Sequence, residues 1–300
     1  MILAAAFWGL IGLAPLADEV VADSLPDATG RELMEGVYQR HRQYPYVFEV
    51  QSMVLIDRLG KRDTRKLRRY SRVDDKGGAQ ILLLFDSPPE VKGVALLAHR
   101  TPDDRIRKEI YLPALGRQLI SNGTVTIGPS GHDDDHFLGT DFSIEDLTGE
   151  SLADYSYRRR ENVLVNEIPC YVVDVFRPVD DAASDPPVRR HFILQDGLYI
   201  SRTDHFDDLG RLKKRQTHHD LVPVDGDMWR ANMILMDNRA EDHQSIVKVD
   251  RRVFSEDYVP EHLFTAEWLY SNVPPPEEPD ETPGPELDTA GETDEENAAP

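Results

Sequence analysis

The spacing of apolar positions changes near Tyr46. Before it, Leu33, Met34, Val37 and Tyr38 recur at three-and-four spacing, the signature of one helix face. Thr29 and Glu32 stand three apart ahead of that face as a capping box, so a helix is predicted from about Gly30 to Arg42, closed by Pro45. From Tyr46 the period becomes two. Phe48, Val50, Val54 and Ile56 alternate with Glu49, Gln51 and Met53, which predicts a half-buried strand. Further strands are predicted over Thr64–Val73, Ala79–Phe85, Val91–His99, Arg105–Leu112 and Gln118–Ser121. After a central interruption come Tyr157–Val165, Cys170–Arg177, Arg189–Leu194, Leu198–His205, Arg211–Leu221, Met228–Met236 and Gln244–Phe254. Most are joined by hairpin-length turns such as Gln195-Asp196-Gly197, and a short helix over Pro260–Tyr270 closes the set. The fold class is mainly β: about a dozen antiparallel strands with few helices and no repeat. A flat sheet that wide is unusual, so it must curl or split. A curled sheet incompletely covered by helices leaves an apolar pocket on its concave face.

The interruption is His136-Phe137-Leu138-Gly139-Thr140-Asp141-Phe142-Ser143-Ile144-Glu145-Asp146-Leu147. Gly139 breaks an apolar run. Ser143 with Asp146 forms a second capping box for a short helix that Gly149 stops. Phe137 and Phe142 are predicted to point inward. A helical plug whose carboxylates, Asp141 and Asp146, cap backbone N–H groups accounts for every residue type here.

As a string, Phe-x-Gly-Thr-Asp-Phe-Ser-x-Glu-Asp-Leu resembles the signature of the outer-membrane lipoprotein-sorting proteins, the LolA-like family of Gram-negative periplasms. Lys92-Gly93-Val94, Ile110 to Pro113 and Gly116 to Ile120 fall upstream in that family's order. Cys170 to Val173 and the hairpins to Trp229 continue it downstream. The resemblance covers roughly Asp27 to Asn272. Its motif positions are Arg117, Phe137, Gly139, Asp141, Phe142, Asp146 and Leu147, while Ile144 stands where an aromatic is expected. The resemblance implies an incomplete barrel with helices over its mouth and lipoprotein acyl chains or another lipid as cargo. It also implies an inner-membrane transporter and an outer-membrane acceptor as partners.

The ends set the compartment. Ile2 to Ala17 is nearly all apolar, too short to span a bilayer, and followed at once by Asp18 and Glu19. With small residues at Ala17 and Ala22, residues 1–22 read as a cleaved signal peptide that lacks a basic start, and the location as periplasmic. The rival reading is an uncleaved anchor. From Pro274 a Pro-, Glu- and Asp-rich tail lacks the apolar side chains a core needs and is predicted disordered. One domain, 27–272, is left between them. The chain has 34 basic and 55 acidic residues, net −21. Such a chain is repelled by phosphate backbones, so nucleic acid is not an expected partner. The one cysteine, Cys170, precludes an intrachain disulfide and sits in an apolar run as a small buried hydrophobe.

Candidate chemistry is sparse. His132-Asp133-Asp134-Asp135-His136 resembles a metal cluster, yet neighbours in a loop do not converge on one ion. On a calcium-loop template His136, Leu138 and Phe142 fall at ligand positions and fail. His218 and His219 point to opposite faces of a strand. Gly128-Pro129-Ser130-Gly131 is not a nucleophile elbow, and no phosphate loop or dinucleotide fingerprint appears. No catalytic residue, cofactor or metal is assigned. The basic run Lys61, Arg62, Arg65, Lys66, Arg68, Arg69 and Arg72 admits two readings. One is a surface for anionic head groups or an acidic partner; the other is an exposed or edge strand guarded by like charge.

These readings converge on a periplasmic carrier that holds an acyl chain in a half-barrel and passes it toward the outer membrane. The helix at Gly30 and the segment Phe137–Leu147 are the candidate lids. Phe48, Val50, Val54, Leu82, Leu84, Leu96 and Tyr111 are the candidate pocket lining. The alternative is a non-catalytic docking subunit of a membrane lipid-export or efflux transporter; a scattered-site enzyme is a third class.

Overall fold

The computed structural model describes residues 23–41, 44–73, 78–102, 105–113, 117–121, 136–177, 186–225 and 228–271. The expected signal peptide, the acidic tail and His132 to Asp135 lie outside them. So does the side chain of Arg117.

Helix α1 (Gly30–His41) begins at the expected capping box. Thr29 N donates to Glu32 Oε2 at 2.8 Å, and Glu32 N donates to Thr29 Oγ1 at 3.2 Å. Strands β1 (Tyr46–Ile56), β2 (Arg62–Val73), β3 (Ala79–Ser87), β4 (Ala95–Arg100), β5 (Ile106–Leu112) and β6 (Arg117–Ser121) follow as a meander. A connection then carries α2 (Ile144–Thr148). The second meander comprises β7 (Ser156–Val165), β8 (Ile168–Phe176), β9 (Arg189–Leu194), β10 (Tyr199–Phe206), β11 (Leu212–Asp225), β12 (Met228–Asn238) and β13 (His243–Val253).

Among the described residues these form one open 13-stranded antiparallel sheet in the order β6-β5-β4-β3-β2-β1-β13-β12-β11-β10-β9-β8-β7. The β1–β13 pairing is the one junction between strands distant in sequence, and it welds the two meanders together. The expected strand starting at Val91 begins at Ala95 instead, because Gly93 at φ 81° turns the chain there. The expected final helix is one 3₁₀ turn, Glu261–Phe264, followed by α3 (Ala266–Tyr270), and a further 3₁₀ turn, Glu256–Tyr258, precedes them.

Alternation along each strand defines two faces. Met53, Leu55, Leu67, Leu83, Phe85, Leu96 and Ile110 point inward and pack with Phe137, Phe142, Ile144 and Leu147. Phe48, Tyr70, Leu82, Leu84, Leu97 and Tyr111 point outward under Val259, Leu263, Phe264 and Leu269 of the C-terminal turns. On the other half of the inner face, Leu33, Met34 and Val37 of α1 cover Tyr171, Val173 and Ile193. Both candidate lids therefore lie on the inner face. Gly30 makes the α1 contact feasible, since a Cβ there would meet Arg159 N of β7 at 2.9 Å.

Candidate functional site: an arginine-rich cavity beside a pinned plug

The central segment is held by its backbone and by its acids. Ser143 Oγ accepts from Asp146 N at 3.0 Å, Asp146 Oδ2 accepts from Ser143 N at 2.8 Å, and Gly149 ends α2 at φ 85°. Asp146 is thus the expected cap. Asp141 is not. Its carboxylate accepts from Ser245 Oγ at 2.8 Å, Asn238 Nδ2 at 3.0 Å and His243 Nδ1 at 2.5 Å, tying the segment to the β12–β13 hairpin. Phe137 and Phe142 are each 2% exposed, and Ile144, in the place of the expected aromatic, is equally buried in the same cluster. Gly139 adopts φ 77° and Leu147 closes the cluster beside α2.

Cations rising from the sheet hold the carbonyls of this segment. Arg65 Nη1 donates to Leu138 O at 2.7 Å, Arg69 Nη1 to Leu147 O at 2.9 Å, Arg100 Nη1 to Glu150 O at 2.7 Å and Lys214 Nζ to Asp141 O at 3.0 Å. Arg189 Nη1 donates to Glu145 Oε2 at 2.9 Å and lies 3.3 Å from Glu150. Burial alone would raise the Glu150 carboxyl, but Arg189, His191 and Tyr157 hold it at about 2.

Both expectations for the basic run change here. β2 is an interior strand, flanked by β1 and β3, so it is not a guarded edge. Nor is it a uniform cationic surface. Arg65 and Arg69 face inward to the plug, while outward-facing Lys66 and Arg68 pair with Asp250 at 2.9 Å and Asp86 at 2.5 Å. Cys170 is fully buried, and burial pushes its thiol up. His218 and His219 do diverge, the first bonding Tyr199 and Gln216, the second Thr217.

Beyond the plug a cavity of about 370 Å³ remains open on the inner face. It lies where β1 and β3 begin and β2 and β4 end, between α1 and α2. Val37, Tyr38, Tyr44, Val47, Ile81, Leu147 and Val249 supply apolar wall. Glu49, Gln51, Arg69, Arg230 and Arg252 supply a polar floor.

None of the residues expected to line a pocket borders this cavity. Phe48, Leu82, Leu84 and Tyr111 are packed on the outer face under the C-terminal turns, with Val50 against them. Val54 shares their face by alternation on β1. Leu96 faces inward but is buried under the plug. The reason is physical. The more apolar face of β1 packs under the C-terminal turns, whereas the face toward the cavity carries Glu49 and Gln51. The missed lining residues were signalled only by that polar alternate set.

The family model matching residues 77–271 is described as an uncharacterized protein. The chain belongs to that family. No curated protein matches it in sequence. Three solved structures are similar to it. A domain assigned to outer membrane lipoprotein sorting from Vibrio parahaemolyticus is 22% identical, with a TM-score of 0.69 over 80% of this chain and 98% of its own. A DUF1329 family protein from Desulfovibrio piger is 20% identical, with a TM-score of 0.63 over 79% of this chain and 98% of its own. A LolA superfamily protein from Nitrosomonas europaea is 13% identical, with a TM-score of 0.58 over 80% of this chain and 99% of its own. At these identities the likeness is one of fold. The architecture is the incomplete barrel that the central motif implied, in the LolA-like class.

Proposed function

We propose that this chain is a periplasmic carrier that seats an acyl chain of a lipoprotein or another lipid on the inner face of the half-barrel. The observation that carries the reading is the cavity of about 370 Å³ between α1 and α2. A volume in the lower part of the small-molecule range suits one chain, not several. The driving force is transfer of methylenes from water to the wall, about 0.8 kcal/mol each. No bond is made or broken, so the reading needs no catalytic group. A multiply acylated cargo requires the lids to part, and the Arg69–Leu147 and Arg100–Glu150 bonds are the contacts that then break.

The test is displacement of a fluorescent fatty acid from delipidated protein. Val249→Trp places an indole in the cavity and should weaken binding at least about tenfold, roughly 1.4 kcal/mol. Val54→Ser, on the opposite face of β1, should leave affinity unchanged. Binding lost equally in both variants, or absent from the folded parent protein, contradicts the carrier and favours a docking subunit.

A further inference from the structure

The floor of the cavity has a charge that its walls do not explain. Arg69, Arg230 and Arg252 line it around Glu49, while Arg100 holds the Glu150 carbonyl, Arg72 reaches Glu261 at 3.9 Å and Asp146 caps α2. This excess of positive charge sits inside a chain of net charge −21. Moreover, Glu49 is already engaged. It accepts from Arg252 Nε and from Gln51 Nε2, each at 2.6 Å. Arg252 also donates to Asn232 Oδ1 at 3.0 Å and to Ala231 O at 2.8 Å, so it is fixed as a scaffold for Glu49.

Arg69 and Arg230 share this neighbourhood on either side. Arg69 directs Nη1 to the carbonyl of Leu147, a neutral acceptor, and Arg230 directs Nη1 to the carbonyl of its own neighbour Trp229 at 3.1 Å. Burial, and Arg252 beside them, lower both guanidinium groups from their ordinary value despite Glu49. Glu49, the carboxylate whose charge reaches both, already accepts from Arg252 and Gln51, so an anion entering beside Arg69 and Arg230 would be stabilised by several charges at once. A planar guanidinium recognises carboxylate or phosphate through paired donors. Next to this floor lie Val37, Tyr38, Val47 and Val249, which recognise only an apolar body.

We infer that the cavity selects an anionic amphiphile, with a carboxylate or phosphate head on Arg69 and Arg230 and one acyl chain along the α1 wall. The inference rests on the carrier reading and narrows it: a neutral lipid of equal length fits the wall but leaves the floor unanswered. It also gives the head group a mechanical consequence. An anion on Arg69 competes with the Leu147 carbonyl, so loading weakens one of the bonds that pins α2.

The experiment compares three probes of equal chain length below their micellar concentrations: a fatty acid, a lysophosphatidate and the corresponding fatty alcohol. Each displaces the same fluorophore from the delipidated full chain. Either anion should bind at least about tenfold more tightly than the alcohol, the scale of one charge-assisted contact. Whichever anion binds better identifies the head group. Arg230→Gln should collapse the anion-to-alcohol ratio. The ratio is read on protein whose thermal unfolding shows it folded. Glu49→Gln should move the ratio the opposite way, upward. Because each ratio is taken within one variant, partial loss of folded protein cancels. Equal binding of acid and alcohol overturns this inference and leaves the carrier intact. So does an anion preference that ignores both substitutions. Binding of none of the probes by folded protein removes the carrier reading and this inference together.

Discussion

Asp141 and Asp146 lie in the same motif and hold the chain in different ways. Asp146 caps α2, a contribution of about 1 kcal/mol. Asp141 is 1% exposed and satisfies three side-chain donors of the β12–β13 hairpin. Removing it strands those donors, so Asp141→Ala should cost on the order of 3 kcal/mol, against about 1 for Asp146→Ala. Urea unfolding of both variants checks the ranking; equal costs would contradict the anchoring role. The Ser143–Asp146 box was legible because its partners are three residues apart. The cap expected of Asp141 is absent because its partners lie about a hundred residues downstream, which no local pattern reveals. His205 gives a second residue-scale expectation. Burial lowers its pKa to about 4 against the pull of Asp146, with Arg189 and Lys214 adding to the fall. An unfolded histidine titrates near 6.5. The folded state thus binds fewer protons in between. Stability is fully present above about pH 6.5 and falls toward pH 4 by up to about 1.4 kcal/mol per unit. Burial lowers His218 to about 4 as well and loads the same limb, so His205→Gln should roughly halve the slope of the urea midpoint against pH. The Glu150 limb is separate, falling only from about 4.3 toward about 2. An unchanged slope in the variant would place the titration elsewhere.

At the scale of elements, the strands were nearly all legible, because period two and the turn residues between runs are local signals. Their faces were not. β1 shows which residues alternate, but burial by Val259, Leu263 and Phe264 decides which set is core. β2 shows the same limit: its cations read as a surface until alternate ones were seen to hold the plug. The α1 lid was legible from its face and capping box. Its close approach to β7 was not. A Cβ on Gly30 would meet the backbone of Arg159, Tyr157 and Arg158 at 2.9, 3.0 and 3.1 Å, where nothing yields cheaply. Gly30→Val should therefore lift the start of α1. Hydrogen exchange should accelerate in the α1 amides while the β1–β2 amides stay protected. Unchanged protection of α1 would show that the helix is not seated by that contact.

At the scale of the molecule, one sheet welded at β1–β13 is filled at one end by the Phe137–Leu147 segment and roofed over β8 and β9 by α1. Between these two covers lies the cavity of about 370 Å³. The central claim is that this space exists for an apolar chain. Calorimetric titration of the delipidated protein with single-chain ligands of one head group and increasing length tests it most directly. The account predicts saturable binding at one chain per protein. Affinity should rise by about 0.8 kcal/mol per added methylene and level off once the chain outgrows the cavity. Folded protein that shows no saturable binding at any length, or an affinity indifferent to length, would contradict it.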